Sequence, residues 1–251
     1  SVKCDADVRT RSFIVLFGFI AACVLNVSCR SGNPELKRER KIVAAGLEIL
    51  RNGTPLQRDS TIRTFYSIKN ADLLIEHLDD PDQNIKIAMI SALGFIKDKA
   101  AAPALNGLLT ATSDYLLRET VLYALGEICD TSSAPVLAGL LADPSTDRDL
   151  RLSIPITLAS FGHGESASLV VKAFADILRS NPEDVELCSY VSVGVLEVLN
   201  PDNAETFQAF LPQLRRMSEQ RKVEAGEDDG IYTNFVLTIQ ELEKYGAAPA
   251  S

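Results

Sequence analysis

The residue types that most often build catalytic and metal centres are scarce in this 251-residue sequence. It contains no tryptophan and two histidines, His77 and His163, and its five cysteines are scattered along the chain. A metal cluster or a histidine-based active site needs several such groups at matched spacings. We therefore predict no metal site and no cofactor, and we expect the protein to act by binding rather than as an enzyme.

Positive charge is also in short supply. The 25 Lys and Arg residues face 34 Asp and Glu residues, which leaves a net charge of −9. Nucleic-acid affinity comes largely from basic groups that release counterions from phosphates, so this balance argues against a DNA- or RNA-binding protein. The hydrophobic content of 46% and the charged content of 24% are those of a folded chain, which excludes disorder for most of the length.

An uncharged run covers residues 12–29, directly after Arg9 and Arg11. A basic stretch followed by an apolar run is typical of a targeting segment. The run of 18 residues also reaches the lower limit for spanning a bilayer, so a helical anchor stays open beside a cleaved signal peptide. We predict a targeting segment over residues 1–29 and a polar tether over residues 30–34.

Two motifs in that segment resemble a bacterial lipoprotein signal, in which a small residue precedes a cysteine that becomes diacylated. They are Ile20-Ala-Ala-Cys23 and Asn26-Val-Ser-Cys29. The first fits the usual apolar-small-small-Cys pattern, whereas the second ends the apolar run and is followed by polar residues. We predict lipidation at Cys29, with Cys23 as the alternative. The resemblance implies a lipoprotein anchored at the inner or outer membrane of a bacterial cell envelope.

The chain between residues 35 and 246 is built from repeats. Four segments align on the anchors Asp82, Asp114, Asp147 and Asp184, at spacings of 32, 33 and 37 residues. Positions 3, 7, 10, 11 and 14 after each anchor are apolar or small, which marks one face of an α-helix. An aspartate in front of such a helix can cap its first turn. Weaker copies of the pattern begin at Asp59 and Asp228.

A second, shorter apolar pattern precedes each anchored helix. Prolines separate the two patterns, as in Asp80-Pro81 and Asp143-Pro144, and proline is costly inside a helix. No segment shows the alternation of a half-buried strand. Each unit is therefore predicted to be a helical hairpin. We expect an all-α repeat domain over residues 35–246, followed by a disordered tail at residues 247–251.

Two of these units carry the residues of a known repeat family. Leu-Asp-Asp-Pro-Asp-Gln-Asn-Ile-Lys at residues 78–86, followed by Ser91-Ala-Leu-Gly94, resembles a HEAT repeat, and Tyr123-Ala-Leu-Gly126 repeats part of that signature. The resemblance is strongest over residues 71–166. It implies a right-handed α-solenoid of about five to six HEAT-like hairpins, in which the second helix of each pair lines the concave side.

By the same resemblance, the anchor aspartates and a basic residue four positions later form a ladder between neighbouring repeats. Arg118 and Arg151 are such basic residues, but Cys188 stands at this position in the following unit, which predicts irregular packing there. Pro155 and Pro212 fall inside predicted helices and are expected to kink them.

Two cysteines, Cys129 and Cys188, lie in the repeat region. They belong to units two apart, so their Cα atoms should be farther apart than the roughly 7 Å that a disulfide allows. Both fall on helical patterns. We predict that both are buried, reduced core residues.

Positions nine and thirteen after each anchor face away from the predicted core. The ninth positions are Ser91, Tyr123, Ile156, Val193 and Leu237, and the thirteenth are Phe95, Glu127, Ser160, Glu197 and Glu241. An acidic, aromatic stripe containing Tyr123, Glu127 and Glu197, with Tyr190 nearby, would suit a basic peptide or protein partner. An acidic stripe can also serve solubility alone.

These observations predict a protein-protein interaction scaffold tethered to the cell envelope. Two alternatives stay open. One is an enzyme or enzyme accessory of the bilin lyase type, a group associated with short HEAT-like repeats, and the other is a structural envelope protein that contacts its own copies. A chromophore-sized pocket with a convergent acid and thiol would favour the lyase, and an open groove would favour the scaffold.

Overall fold

The computed structural model describes residues 33–246, and all regular structure in that range is helical. Two 3-10 turns, Lys99–Ala101 and Gly164–Ser166, accompany thirteen α-helices. The first seven are α1 (Pro34–Asn52), α2 (Pro55–Phe65), α3 (Asp72–Ile75), α4 (Gln83–Ile96), α5 (Ala102–Ala111), α6 (Tyr115–Ile128) and α7 (Ser133–Ala142). The others are α8 (Arg148–Ala159), α9 (Ala167–Ser180), α10 (Val185–Val198), α11 (Ala204–Gln208), α12 (Leu211–Ala225) and α13 (Gly230–Gly246).

The predicted targeting segment at residues 1–29 and the predicted tail at residues 247–251 lie outside the described residues. The first helix, α1, already begins at Pro34, the last residue assigned to the tether. Within residues 33–246, no helix combines the length and the apolar character needed to cross a bilayer.

Six helical pairs stack side by side in two layers. The second helices of the pairs, α2, α4, α6, α8, α10 and α13, pack against one another in that order, and the first helices α5, α7 and α9 do the same. Each second helix also packs on the first helix of its own pair. One hydrophobic core runs between the layers from Val43 to Leu242. The predicted all-α solenoid of five to six hairpins is confirmed.

The four central anchors cap the helices that follow them. Backbone N–H groups donate to the anchor carboxylates over 2.9 Å from Asn84 to Asp82, 2.9 Å from Leu117 to Asp114, 3.2 Å from Leu150 to Asp147 and 3.0 Å from Leu187 to Asp184. These bonds satisfy donors that the first turn of a helix leaves without partners. The repeat pattern therefore located these helix starts correctly.

The two outermost anchors were placed wrongly. Asp59 lies inside α2, whose N-cap is Thr54. At the other end, Asp229 rather than Asp228 accepts the N–H of Tyr232, over 3.0 Å. Asp229 also accepts two hydrogen bonds from Arg221, and these bonds lower the pKa of its carboxyl group to about 2. In the first unit the cap lies five residues before the predicted anchor, and the buried residues of α2 are Thr61 and Phe65.

Two glycines allow close packing between helices. A Cβ atom on Gly94 of α4 would lie 2.9 Å from the Cα atom of Ala124 in α6, closer than real Cβ contacts come. A Cβ atom on Gly194 of α10 would lie 2.6 Å from the ring of Phe174 in α9. The absence of a side chain at these positions lets one backbone approach its neighbour directly.

The two prolines behave differently from each other. Pro155 lies inside α8, as predicted. Pro212 is instead in the first turn of α12, so the prediction that it kinks a helix was wrong. Proline fits the first turn of a helix because its missing N–H would have no partner there. The first helix of the last pair is therefore divided into α11 and α12.

One contact of the predicted ladder is present, and the two arginines also bind backbone carbonyls at the C-terminal ends of the first helices. Arg118 pairs with Asp147 of the next unit, over 3.1 Å between Nη1 and Oδ1, and its Nε donates to the carbonyl of Thr112. Arg151 donates to the carbonyl of Leu141 over 3.1 Å. Asp184 pairs with Arg148 rather than with Arg151, over 2.9 Å.

Cys188 stands where the two preceding units have Arg118 and Arg151, and Gln213 takes over the hydrogen bond that an arginine makes there. The Cys188 thiol donates to the carbonyl of Asn181 over 3.2 Å. Leu178 stands six residues before Asp184, the same repeat position as Leu141, whose carbonyl binds Arg151. The carbonyl of Leu178 instead accepts a 2.9 Å hydrogen bond from the side-chain amide of Gln213 in α12. The predicted irregular packing at Cys188 is not observed, because the side-chain amide of Gln213 from the following pair donates the hydrogen bond instead.

The two repeat-region cysteines have opposite environments. Cys188 is fully buried and reduced, as predicted, and burial raises the pKa of its thiol to about 12. Cys129 is also reduced, but it is exposed, so its predicted burial was wrong. The helix α6 ends at Ile128, and Cys129 takes the left-handed conformation with φ of 50°. This turn takes it off the buried face that the helical pattern predicted.

Candidate binding face

The solvent-exposed side of α4, α6, α8, α10 and α13, here called the second-helix face, carries several exposed apolar side chains. Tyr123 is 68% exposed, Ile156 53% and Leu237 50%, and Val193 is half-buried. These four residues stand at the same repeat position in consecutive second helices, α6, α8, α10 and α13, and we call them the apolar row. Single exposed hydrophobic residues are ordinary, but a contiguous apolar strip is characteristic of an interaction surface.

A second row lies one helical turn beyond the apolar row. Its members stand four residues after those of the apolar row, which places them on the same helix face. They are Glu127, Ser160, Glu197 and Glu241. Its three glutamates, here called the acidic row, put carboxylates along one side of the apolar strip.

Two members of the acidic row already have cationic partners. Glu127 pairs with Lys97 from the end of α4, over 2.7 Å, and this contact raises the pKa of the lysine ammonium group. Glu241 pairs with Lys244 one turn later. Glu197 has no ion pair within the part of the chain that the structure describes. Among the described residues, Glu197 on α10 is therefore the one carboxylate of this row that no lysine or arginine neutralises.

The opposite side of the apolar row also carries carboxylates. Glu119 lies one turn before Tyr123 on α6, and Asp149 lies two turns before Ile156 on α8. Neither forms an ion pair within residues 33–246. On this side the half-buried Glu119 therefore stands next to the apolar row, and the exposed Asp149 lies one turn farther away.

Of the four site residues predicted from the sequence, the structure places all on the two helices α6 and α10. Tyr123 and Glu127 are one turn apart on α6, and Glu197 is one turn after Val193 on α10. Tyr190 is also on α10, three residues before Val193, but it is only half-buried rather than exposed. It therefore contributes less accessible surface than Tyr123.

Sequence reasoning missed the aromatic pair at the α4 end of the face. The rings of Phe95 and Tyr66 are stacked, with centroids 4.1 Å apart and planes 12° apart. Tyr66 belongs to the poorly matching first unit, so its repeat offset gave no sign of this contact. The start of α6 also exposes Tyr115 and Leu116, which lie outside the two offsets that were considered.

Three cavities in the described part of the chain lie away from this face. One of about 600 Å³ lies between α1 and the segment that precedes α3, and Glu35, Glu39 and Lys69 are among its lining residues. Glu39 is 6% exposed, and its carboxylate accepts the backbone N–H of Lys69 over 2.8 Å, so its role there is structural. Another, of about 560 Å³, lies beside α9, the turn that begins at Asn200 and the start of α11. Neither is lined by a cysteine, so neither has the acid and thiol expected of a lyase pocket.

The two histidines lie in different repeat units. His77 is half-buried directly after α3, and His163 is exposed before the second 3-10 turn. Among residues 33–246, no group of three His, Cys, Asp or Glu side chains is arranged to hold a metal ion.

Comparison with known proteins supports the repeat assignment. Residues 71–159, which include α4 to α8, match the family model for HEAT repeats. This confirms the HEAT-like character predicted from the motifs in that part of the chain. No curated protein shows significant similarity to the sequence.

Three solved structures show general similarity to the chain. An engineered protein matches with 16% identity and a TM-score of 0.44, over 83% of this chain and 97% of that one. The CpcE–CpcF complex of phycocyanin lyase from Nostoc sp. PCC7120 matches with 21% identity and a TM-score of 0.38, over 80% and 82%. A designed armadillo repeat protein matches with 12% identity and a TM-score of 0.43, over 81% and 99%. Since all three TM-scores are below 0.5, these similarities carry no argument about function.

Proposed function

We propose that this protein is a non-catalytic scaffold that binds a protein partner along the second-helix face. The observation that carries the proposal is the apolar row, in which consecutive helices present an apolar side chain at one repeat position. A solenoid provides an extended binding surface because its repeats are stacked in one direction. Contacts to several helices at once give affinity without a deep pocket.

The chemistry of the face suits a protein partner. Tyrosine is enriched among interface residues that contribute most to binding energy, and Tyr123 is the most exposed member of the apolar row. Ile156 and Leu237 add aliphatic surface on other helices. Carboxylates on both sides form a polar border, which is the usual arrangement around an apolar interface centre.

A photo-crosslinking experiment tests this proposal. We expect p-benzoylphenylalanine in place of Tyr123 or Ile156, in the protein expressed in its native cells, to form a discrete adduct with one partner protein. The same photoreactive residue in place of Leu56 or Val223 is the control, because these side chains are 80% and 86% exposed but lie on α2 and α12. Mass spectrometry of the adduct identifies the partner.

Three results of this experiment would count against the scaffold. Equal crosslinking from all four positions would show nonspecific contact, and no adduct from Tyr123 or Ile156 would remove the proposed binding face. Adducts formed only between copies of this chain would instead support a structural envelope protein. A discrete adduct that is lost when Leu237→Ser is introduced would support the scaffold.

We further propose that the scaffold is held at a bacterial cell envelope by a lipid on Cys29. Support comes from the apolar run at residues 12–29, which ends in Cys29 and is followed by polar residues. A diacylated N-terminal cysteine would place the repeat domain close to a membrane. The two acyl chains on such a cysteine give stable anchoring without a second membrane-binding element.

Intact mass and detergent partitioning test the anchor. We expect the parent protein from a bacterial host to carry a diacylglycerol-sized mass increase and to enter the detergent phase. Cys29→Ala should abolish both properties, whereas Cys23→Ala should leave them unchanged. If Cys23→Ala alone abolishes them, the alternative cysteine is the anchor, and if neither substitution matters, the lipoprotein proposal fails.

A further inference from the structure

We infer that the partner segment that occupies the second-helix face is an amphipathic α-helix, with apolar anchors every seven residues and Lys or Arg beside them. The inference rests on the proposed function and specifies the chemistry of its partner. It follows from the spacing of the apolar row and from the position of the carboxylates around it.

The spacing of the row favours a helix. Neighbouring packed helices lie about 8–10 Å apart, so the row offers one apolar contact at roughly that interval. In an α-helix, residues seven apart are separated by about 10.5 Å and return to nearly the same face. A helix that crosses the second helices with a small tilt can therefore contact every member of the row.

An extended segment does not match the same spacing. Side chains on one side of a β-strand repeat about every 6.8 Å, and the next multiple is about 13.6 Å. Both values miss the interval of about 8–10 Å between packed helices. A strand lying across the face could place one anchor correctly but not four in succession.

The length of the partner follows from the number of row members. Four contacts, at Tyr123, Ile156, Val193 and Leu237, span three intervals between second helices. Four anchors with heptad spacing need at least 22 residues, and the first and last anchors are then about 31 Å apart. The partner segment is thus a helix of about six turns.

The carboxylates define the charge of the partner. Glu119 and Glu197 stand one turn from the apolar row on its two sides, and Asp149 lies two turns from it. None of the three has an ion pair within residues 33–246. A helix with Lys or Arg on each side of its apolar stripe would pair with them. An acidic helix would be repelled, and the net charge of −9 adds to that repulsion at long range.

Synthetic peptides test the inference directly. The first peptide has 25 residues, with four Leu residues in heptad spacing, Lys beside each Leu, and an Ala and Gln background. A second peptide has the same composition with Leu at every second position, and a third replaces each Lys with Glu. Binding of fluorescein-labelled peptides is measured by anisotropy with the full chain in phosphatidylcholine nanodiscs, and empty nanodiscs serve as the blank.

We expect the heptad peptide to bind at least tenfold more tightly than either of the other two. Ile156→Ser should weaken its binding about tenfold, and Glu197→Gln should weaken it two- to fivefold and reduce its dependence on salt. Val223→Ser is the matched control, since this residue is 86% exposed on α12 and should not affect affinity.

Each other outcome overturns the inference. Equal or tighter binding of the second peptide would show that the face takes an extended segment. Equal binding of the Glu peptide, or an unchanged affinity in Ile156→Ser, would show that the charges or the apolar row do not form the site. Failure of the heptad peptide with persistent crosslinking at Tyr123 removes the helical partner but leaves the scaffold, whereas loss of the crosslink removes the scaffold itself.

Discussion

The Gly94→Val substitution is expected to lower the free energy of unfolding by about 2–3 kcal/mol. A Cβ atom at this position would lie 2.9 Å from the Cα atom and 3.0 Å from the Cβ atom of Ala124. Because the first of these atoms is backbone, no side-chain rotation relieves the overlap, and α4 must move away from α6. Urea denaturation followed by circular dichroism at 222 nm measures the change.

Gly107→Ala and Gly139→Ala are the matched controls for this prediction. Both glycines lie inside helices, α5 and α7, and an added Cβ atom at either position meets nothing within 4 Å. Alanine reduces the conformational freedom of the unfolded chain, so each control should raise the free energy of unfolding by about 0.5–1 kcal/mol. A change below 0.5 kcal/mol in Gly94→Val would contradict the close approach of α4 and α6.

The Phe174→Ala substitution is expected to cost about 3–5 kcal/mol of folding stability. The ring is fully buried in α9, and its tip faces Gly194 of α10, where a Cβ atom would lie only 2.6 Å away. Removing the ring leaves a cavity between the two helices of this pair. The loss is measured by the same urea denaturation, with an unchanged slope against denaturant as the sign of a comparable transition.

Phe95→Ala is the control for the loss of an aromatic ring. Phe95 is 59% exposed, and its ring stacks on that of Tyr66. An aromatic pair of this kind contributes about 0.5–1.5 kcal/mol. If Phe95→Ala and Phe174→Ala lowered stability equally, the assignment of Phe174 to the core between α9 and α10 would be wrong.

The local rules of helix formation were readable from the sequence in the central units. Apolar residues at fixed offsets from Asp82, Asp114, Asp147 and Asp184 identified the buried faces of α4, α6, α8 and α10. The anchors themselves cap those helices. These features depend on residues a few positions apart, and such short-range rules do not need the tertiary structure.

The candidate site was only partly predictable. The repeat offsets correctly indicated that Tyr123, Glu127 and Glu197 lie on one face of their helices. They could not show that Lys97 partly neutralises Glu127, because that contact joins two different helices. The stripe is consequently less acidic and more apolar than its composition suggested, and Ile156 and Leu237 are prominent in it.

The sequence by itself determined the repeat, the all-α class, the hairpin units and most of the buried positions, because helical periodicity and capping are local properties. Only the tertiary structure decided the environment of Cys129, the place of Pro212 in a helix start, and the use of Gln213 where Cys188 replaces a basic residue. Each of these depends on where a helix ends or on a side chain from another pair. Such contacts arise only when the helices pack, and a pattern within one helix cannot contain them.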